Sequence, residues 1–74
     1  MKSDKEILRN LGSSIQKRRK SMGWSQEKLA IESDTDRSYI GAIERGERNV
    51  GILTLLRILN ALKISFTELL HEKS

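Results

Sequence analysis

Apolar residues recur at three- and four-residue intervals along almost the whole chain, and no segment alternates with period two. Ile7, Leu8, Leu11 and Ile15 mark one face of a first helix, roughly residues 4–21. Met22 and Gly23 end it, the glycine being free to take a left-handed C-terminal position. Ser25 caps a short second helix with Leu29 and Ala30 inward. Trp24 precedes that cap and Leu29 is the fourth helical residue, which is the spacing of a hydrophobic staple. The run "SDTD", residues 33–36, reads as a turn in which Asp34 takes a positive φ. Asp36 is the N-cap of a third helix and Gly46 its stop. After the loop "ERNVG", a fourth helix carries Ile52, Leu55, Leu56, Leu59 and Leu62 on one face. A fifth starts near Ser65, with Phe66, Leu69 and Leu70 apolar. The pattern predicts an all-α chain: five short helices in a single domain spanning residues 1–74.

Composition narrows what such a domain can be. There is no cysteine, so neither a disulfide nor a thiolate metal site can staple it. Stability must come from packed apolar faces, extended by a partner subunit where one helps. No cofactor or metal is expected, since His71 stands alone and no carboxylates cluster. Asp34 and Asp36 are better explained as turn and cap residues. No apolar run reaches 18 residues and no signal-peptide pattern opens the chain, so a cytoplasmic protein without membrane contact is expected. The net charge of +4 favours an anionic partner.

The stretch "DRSYIGAIERG", residues 36–46, shows what that partner is. Ile40 and Ile43 hold its helix to a core. Its opening turn instead carries Arg37, Ser38 and Tyr39, where a cation opposes the helix dipole and calls for a functional reason. Two short helices joined by a tight turn in a basic domain read as a helix-turn-helix. A helix fits the major groove of DNA, and residues near its N-terminus reach the base edges. Arg37 can pair with guanine through two hydrogen bonds, and Ser38 is short and adaptable. Tyr39 offers a hydroxyl to a phosphate or a ring to a thymine methyl; packing over the turn is an equal alternative. Gly41 and Ala42, small and on the same outward side, would let the helix lie deep in the groove.

The stretch "SQEKLAIESDTDRSYIGAIERGERNV" resembles the helix-turn-helix of the lambda-type phage repressor and Cro family, over about residues 10–70. The resemblance implies a compact five-helix DNA-binding domain, with the helix-turn-helix at about 25–46 and helices 4 and 5, about 52–70, serving core and dimerisation. Within that family, "DRSYIGAIERGERNV" and the small size look most like controller proteins of restriction–modification systems. These are homodimeric transcription factors that bind two-fold operators upstream of their own and the endonuclease gene, activating at low dose and repressing at high dose. Double-stranded DNA, a second copy of the chain and RNA polymerase are the partners so implied. Matched position by position, Arg37 and Ser38 read bases, Gln26 contacts phosphate and braces the recognition helix, and Arg48 and Asn49 lie in a loop that touches the backbone. Tyr39 and Ala42 are further base-reading candidates, and Ser25 and Lys17 further phosphate-binding ones. Arg19 pairs inside the domain with Glu44. Asp34 departs from the glycine or asparagine usual in the turn, and Gly51 from the serine or threonine that commonly caps the fourth helix.

Other assignments follow from the residues alone. Arg19 follows Leu11 and Ile15 at four-residue spacing, so it points inward, while the rest of "KRRK" (residues 17–20) reads as a solvated face. Trp24 and Phe66 occupy apolar-face positions. The two-fold interface is expected among Leu53, Ile64, Phe66, Leu69 and Leu70. Alternative functions are a small phage-type repressor and an antitoxin-like protein-interaction module. An enzyme has no constellation behind it.

Overall fold

The computed structural model describes residues 2–70, with the backbone alone for Leu70. It contains α1 (Asp4–Ser21), α2 (Gln26–Glu32), α3 (Arg37–Glu44), α4 (Ile52–Leu62) and α5 (Phe66–Leu70), with no strand among the described residues. His71 lies outside them.

Each helix starts where a side chain satisfies its free N–H groups. Ser3 and Glu6 form a reciprocal capping box on α1. Ser25 accepts from the Lys28 amide at 3.0 Å, and Asp36 from the Tyr39 amide at 3.3 Å. Ser65 and Glu68 form a second reciprocal box on α5. α4 is the exception: Gly51 has the extended cap conformation but no side chain to donate to.

The first four helices end in the same way. Gly23, Asp34, Gly46 and Lys63 all have positive φ, between 54° and 75°. In each case two backbone amides return to carbonyls of the last turn, as when Asp34 N–H reaches Ile31 O at 3.2 Å and Thr35 N–H reaches Ala30 O at 2.8 Å. This is the Schellman arrangement. Two of the four left-handed positions are not glycine, so Asp34 and Lys63 hold a conformation their Cβ disfavours.

The core is one cluster in which Ile15 of α1, Leu29 of α2, Ile40 and Ile43 of α3, and Ile58 and Leu62 of α4 are almost fully buried. Trp24 packs against it from the start of α2. The fourth helix differs from expectation in its rotation. Leu55, Ile58, Leu59 and Leu62 face inward, while Ile52 and Leu56 are 61% and 48% exposed. In "ILTLLRILNAL" seven of the eleven residues are large and apolar, so several stripes compete and tertiary contact chooses among them. Ile7 is likewise exposed rather than inward.

Three contacts that fix the packing carry no pattern in the sequence. Gly12 of α1 is buried, and a Cβ there would meet the Ile43 carbonyl oxygen and lie 2.7 Å from that of Glu44. The absent side chain is what lets α3 cross α1 so closely. Arg18 donates to the Leu62 and Lys63 carbonyls at 2.9 and 3.3 Å, closing the end of α4. It is therefore no solvated bystander of the basic run. Arg57 of α4 donates to the Ser33 carbonyl at 3.3 Å, closing the end of α2.

Candidate nucleic-acid interface

The turn between α2 and α3 is set by local chemistry. Ser33 is buried, and its hydroxyl donates to the Leu29 carbonyl at 2.7 Å. Asp34 supplies the left-handed residue, and Asp36 caps α3 two residues later. α3 is then pinned from behind. Ile40 and Ile43 enter the core, and Glu44 ends the helix at the centre of a buried polar cluster.

Glu44 is the keystone of that cluster. Its side chain has no solvent exposure, and that of Arg19 is 8% exposed. Arg19 Nε and Nη2 reach the two carboxylate oxygens at 2.6 and 3.0 Å, a two-pronged charged pair. The third guanidinium nitrogen donates to the Trp24 carbonyl at 2.6 Å, so the charge is satisfied on all sides. Gln26 Nε2 at 3.0 Å and Gln16 Nε2 at 3.4 Å also donate to Glu44 Oε1. One carboxylate thus ties α1, the start of α2 and the end of α3 together.

With the back of α3 fixed, its first turn is presented outward. Arg37 and Ser38 are exposed, and neither side chain has a hydrogen-bond or ion-pair partner among the described residues. Ala42 is half-buried further along the helix. Gly41 does not face outward: it is buried, and a Cβ there would meet the Arg45 guanidinium at 3.2 Å and the Gln26 carboxamide at 3.5 Å. Its smallness makes room for these two side chains rather than for a groove. Arg45, which no pattern singled out, thereby lies beside Gln26, paired on its other side with Glu47 at 3.0 Å.

The remaining predicted residues fall in three places. Gln26, Ser25, Arg48 and Asn49 flank α3, with Ser25 already accepting as a cap and the others placed at the start of α2 and in the loop after α3. Lys17 is exposed on α1 with no ion-pair partner among the described residues. Tyr39 turns away from Arg37 and Ser38. It is half-buried, donates to the Asn49 carbonyl at 3.4 Å, and stacks under the Arg48 guanidinium 5.1 Å from the ring centroid.

The arrangement presents free hydrogen-bonding groups on one rigid helix turn, with cations and amides on both flanks. The chain matches the helix-turn-helix family model over residues 15–69. It is 37% identical over 68 residues to control protein C.MunI of Mycoplasma sp, across 90% of this chain and 92% of that one. It is similar to the crystal structure of the restriction-modification controller protein C.AhdI from Aeromonas hydrophila: identity 42%, TM-score 0.83, covering 86% of this chain and 97% of that one. A further similar structure is the controller protein C.Esp1396I, a tetramer in complex with its natural 35 base-pair operator, at 38% identity and TM-score 0.80 over 86% and 84% of the two chains. The chain belongs to the helix-turn-helix family and, within it, to the controller proteins of restriction–modification systems.

Proposed function

We propose that this chain is a sequence-specific, DNA-binding transcription regulator that works as a homodimer on a two-fold operator upstream of its own gene and governs a neighbouring endonuclease gene. The observation that carries this is the first turn of α3. Arg37 and Ser38 stand free on a helix whose opposite face is locked by Ile40, Ile43 and Glu44. A rigid turn of unpartnered donors is what reading base edges requires. Ala42 lies four residues, about one turn, beyond Ser38 on the same helix. Gln26, Ser25, Arg48, Asn49 and Lys17 supply contacts to the phosphate backbone, and Arg45 adds a cation beside Gln26.

The whole chain acts as one domain, α2 and α3 serving DNA and the last two helices serving core and dimer. A single helix-turn-helix reads too few base pairs for genomic specificity, which is the physical case for a dimer. Leu53 and Phe66 are 70% and 45% exposed, and Leu56 and Ile52 extend the same apolar surface of α4. Leu69 is removed from the expected interface: at 6% exposure it belongs to the core of its own chain. Ile64 also packs against that core, leaving only part of its surface for a partner. The side chain of Leu70 lies outside the described residues. No helix among them is long and apolar enough to cross a membrane, and a cytoplasmic regulator that contacts RNA polymerase when it activates fits the reading.

The test is binding to the duplex immediately upstream of the gene against a scrambled duplex, with footprinting and sedimentation. The expected result is preference for the upstream duplex, protected half-sites centred ~34 Å or a multiple of it apart, and a dimer at micromolar concentration. Equal binding to both duplexes, or a persistent monomer on DNA, would contradict it.

A further inference from the structure

We propose that Arg18 is a positioning residue for self-association: by clamping Lys63 it fixes the angle between α4 and α5, and so holds Leu53 and Phe66 in the one arrangement that a second copy of the chain can cover. The inference rests on the homodimer proposed above.

On the last two helices the exposed apolar side chains are Ile52, Leu53 and Leu56 of α4 and Phe66 of α5. A self-complementary surface built from two helices keeps its shape only while the angle between them is fixed. α5 does not fix that angle by itself. It is five residues long, and among its described side chains Leu69 alone is buried. The angle is therefore set at the joint, where Lys63 is left-handed with φ 56° and ψ 44°, a conformation that a lysine disfavours. The joint's own backbone bonds run from the Lys63 and Ile64 amides to the Asn60 and Leu59 carbonyls. Arg18 acts on the next two carbonyls. Its Nε donates to that of Leu62 at 2.9 Å and its Nη2 to that of Lys63 at 3.3 Å. These belong to the two peptide planes on either side of the Lys63 Cα. One planar fork bonded to both planes restrains the φ and ψ of Lys63 together. The guanidinium also stands at the C-terminus of α4, where the helix dipole favours a cation. The next residue, Arg19, points about 100° further round α1 and holds Glu44 at the end of α3. Neighbouring arginines thus fasten the recognition helix and the α4–α5 joint to the same helix.

The measurement is the dimer dissociation constant by sedimentation equilibrium, without DNA, for wild type, Arg18→Met, Arg18→Lys and Lys20→Met. Circular dichroism checks the fold, and amide hydrogen exchange reads α5. Arg18→Met keeps the stem and loses the fork. It should stay folded, exchange faster in α5 and dimerise about tenfold more weakly, ~1.4 kcal/mol, the order of one hydrogen bond to a charged group. Arg18→Lys keeps the charge but not the planar fork, so it should also weaken the dimer. Lys20→Met removes a charge from an exposed position of α1 and should dimerise like wild type. An Arg18→Met protein that dimerises as tightly as wild type, even with a lowered melting temperature, would leave Arg18 a stabilising contact only and overturn the proposal. Equal changes in Arg18→Met and Lys20→Met would overturn it too, by reducing the effect to net charge. If Arg18→Met does not fold, Arg18→Lys decides: a weaker dimer supports the clamp and an unchanged one refutes it. A wild type that stays monomeric well above micromolar concentration removes the homodimer reading and the clamp's role with it, whereas an unchanged Arg18→Met dimer removes the clamp's role alone.

Discussion

Replacing Glu44 by alanine removes the acceptor at the centre of the fold. Four donor nitrogens from Arg19 and the two glutamines converge there: Arg19 Nε and Nη2 at 2.6 and 3.0 Å, Gln26 at 3.0 Å and Gln16 at 3.4 Å. With Glu44 gone, the Arg19 side chain stays 8% exposed and keeps only the Trp24 carbonyl. An uncompensated buried charge costs about 3–5 kcal/mol. Domains hold about 0.05–0.15 kcal/mol per residue, so roughly 4–11 kcal/mol is the whole reserve for a chain of this size. Glu44→Ala should therefore lower the melting temperature by more than ~12 °C, at about 4 °C or more per kcal/mol. A second variant separates breaking the pair from losing it. Arg19→Met/Glu44→Leu takes away both charges and fills their space, and such exchanges are often neutral or stabilising. It should recover most of the lost stability. It should not recover DNA affinity fully, because Gln26 still lacks its brace. Thermal melts by circular dichroism with matched binding curves measure both. A Glu44→Ala melt within ~1 kcal/mol of wild type would refute the reasoning, because a truly buried pair cannot be broken so cheaply.

Other expectations are narrower. Lys63→Gly should stabilise by roughly 0.5–1 kcal/mol in denaturant titration, as relief of the left-handed strain outweighs the added unfolded-state freedom; Asp34→Gly should gain less, since aspartate tolerates that conformation better. Gly12→Ala should destabilise by about 1–3 kcal/mol, because its Cβ has no room against the α3 carbonyls. The Glu68 carboxyl should titrate below its ordinary 4.5, chiefly because the Ser65 backbone N–H bonds its charged form. A depressed folded pKa gives stability that is present above 4.5 and lost as pH falls through the lower value, so amide protection in α5 should decline there.

The parts of the fold that local chemistry dictates were readable in the sequence. Ser25, Asp36 and Gly46 act within a few residues of themselves, and Asp34 sits in the turn where only a left-handed residue closes α2. Gly51 stands where a capping side chain is usual, and α4 starts there without one. What stayed hidden depends on partners distant in sequence. Gly12 is explained by Ile43 and Glu44, Arg18 by the end of α4, Arg57 by the end of α2, and none of these pairings leaves a periodic signal. The inward face of α4 was ambiguous because leucine and isoleucine surround most of that helix, so only contact with the other helices selects Ile58 over Leu56. Tyr39 shows the same limit in the candidate interface. Its place in the first turn of α3 is local, but its contacts are with the core and with Arg48 and Asn49, nine and ten positions away.

Sequence recognition is carried by the first turn of α3 in the proposed function, and Arg37 tests that most directly. Its guanidinium is exposed and without a partner among the described residues, so removing it should leave the fold unchanged. The measurement is affinity of wild type and Arg37→Ala for the upstream and scrambled duplexes across a salt series. Arg37→Ala should lose about 1–3 kcal/mol on the upstream duplex and little on the scrambled one. Equal losses on both duplexes, with a salt slope reduced by about one unit, would make Arg37 a phosphate clamp and contradict its base-reading role.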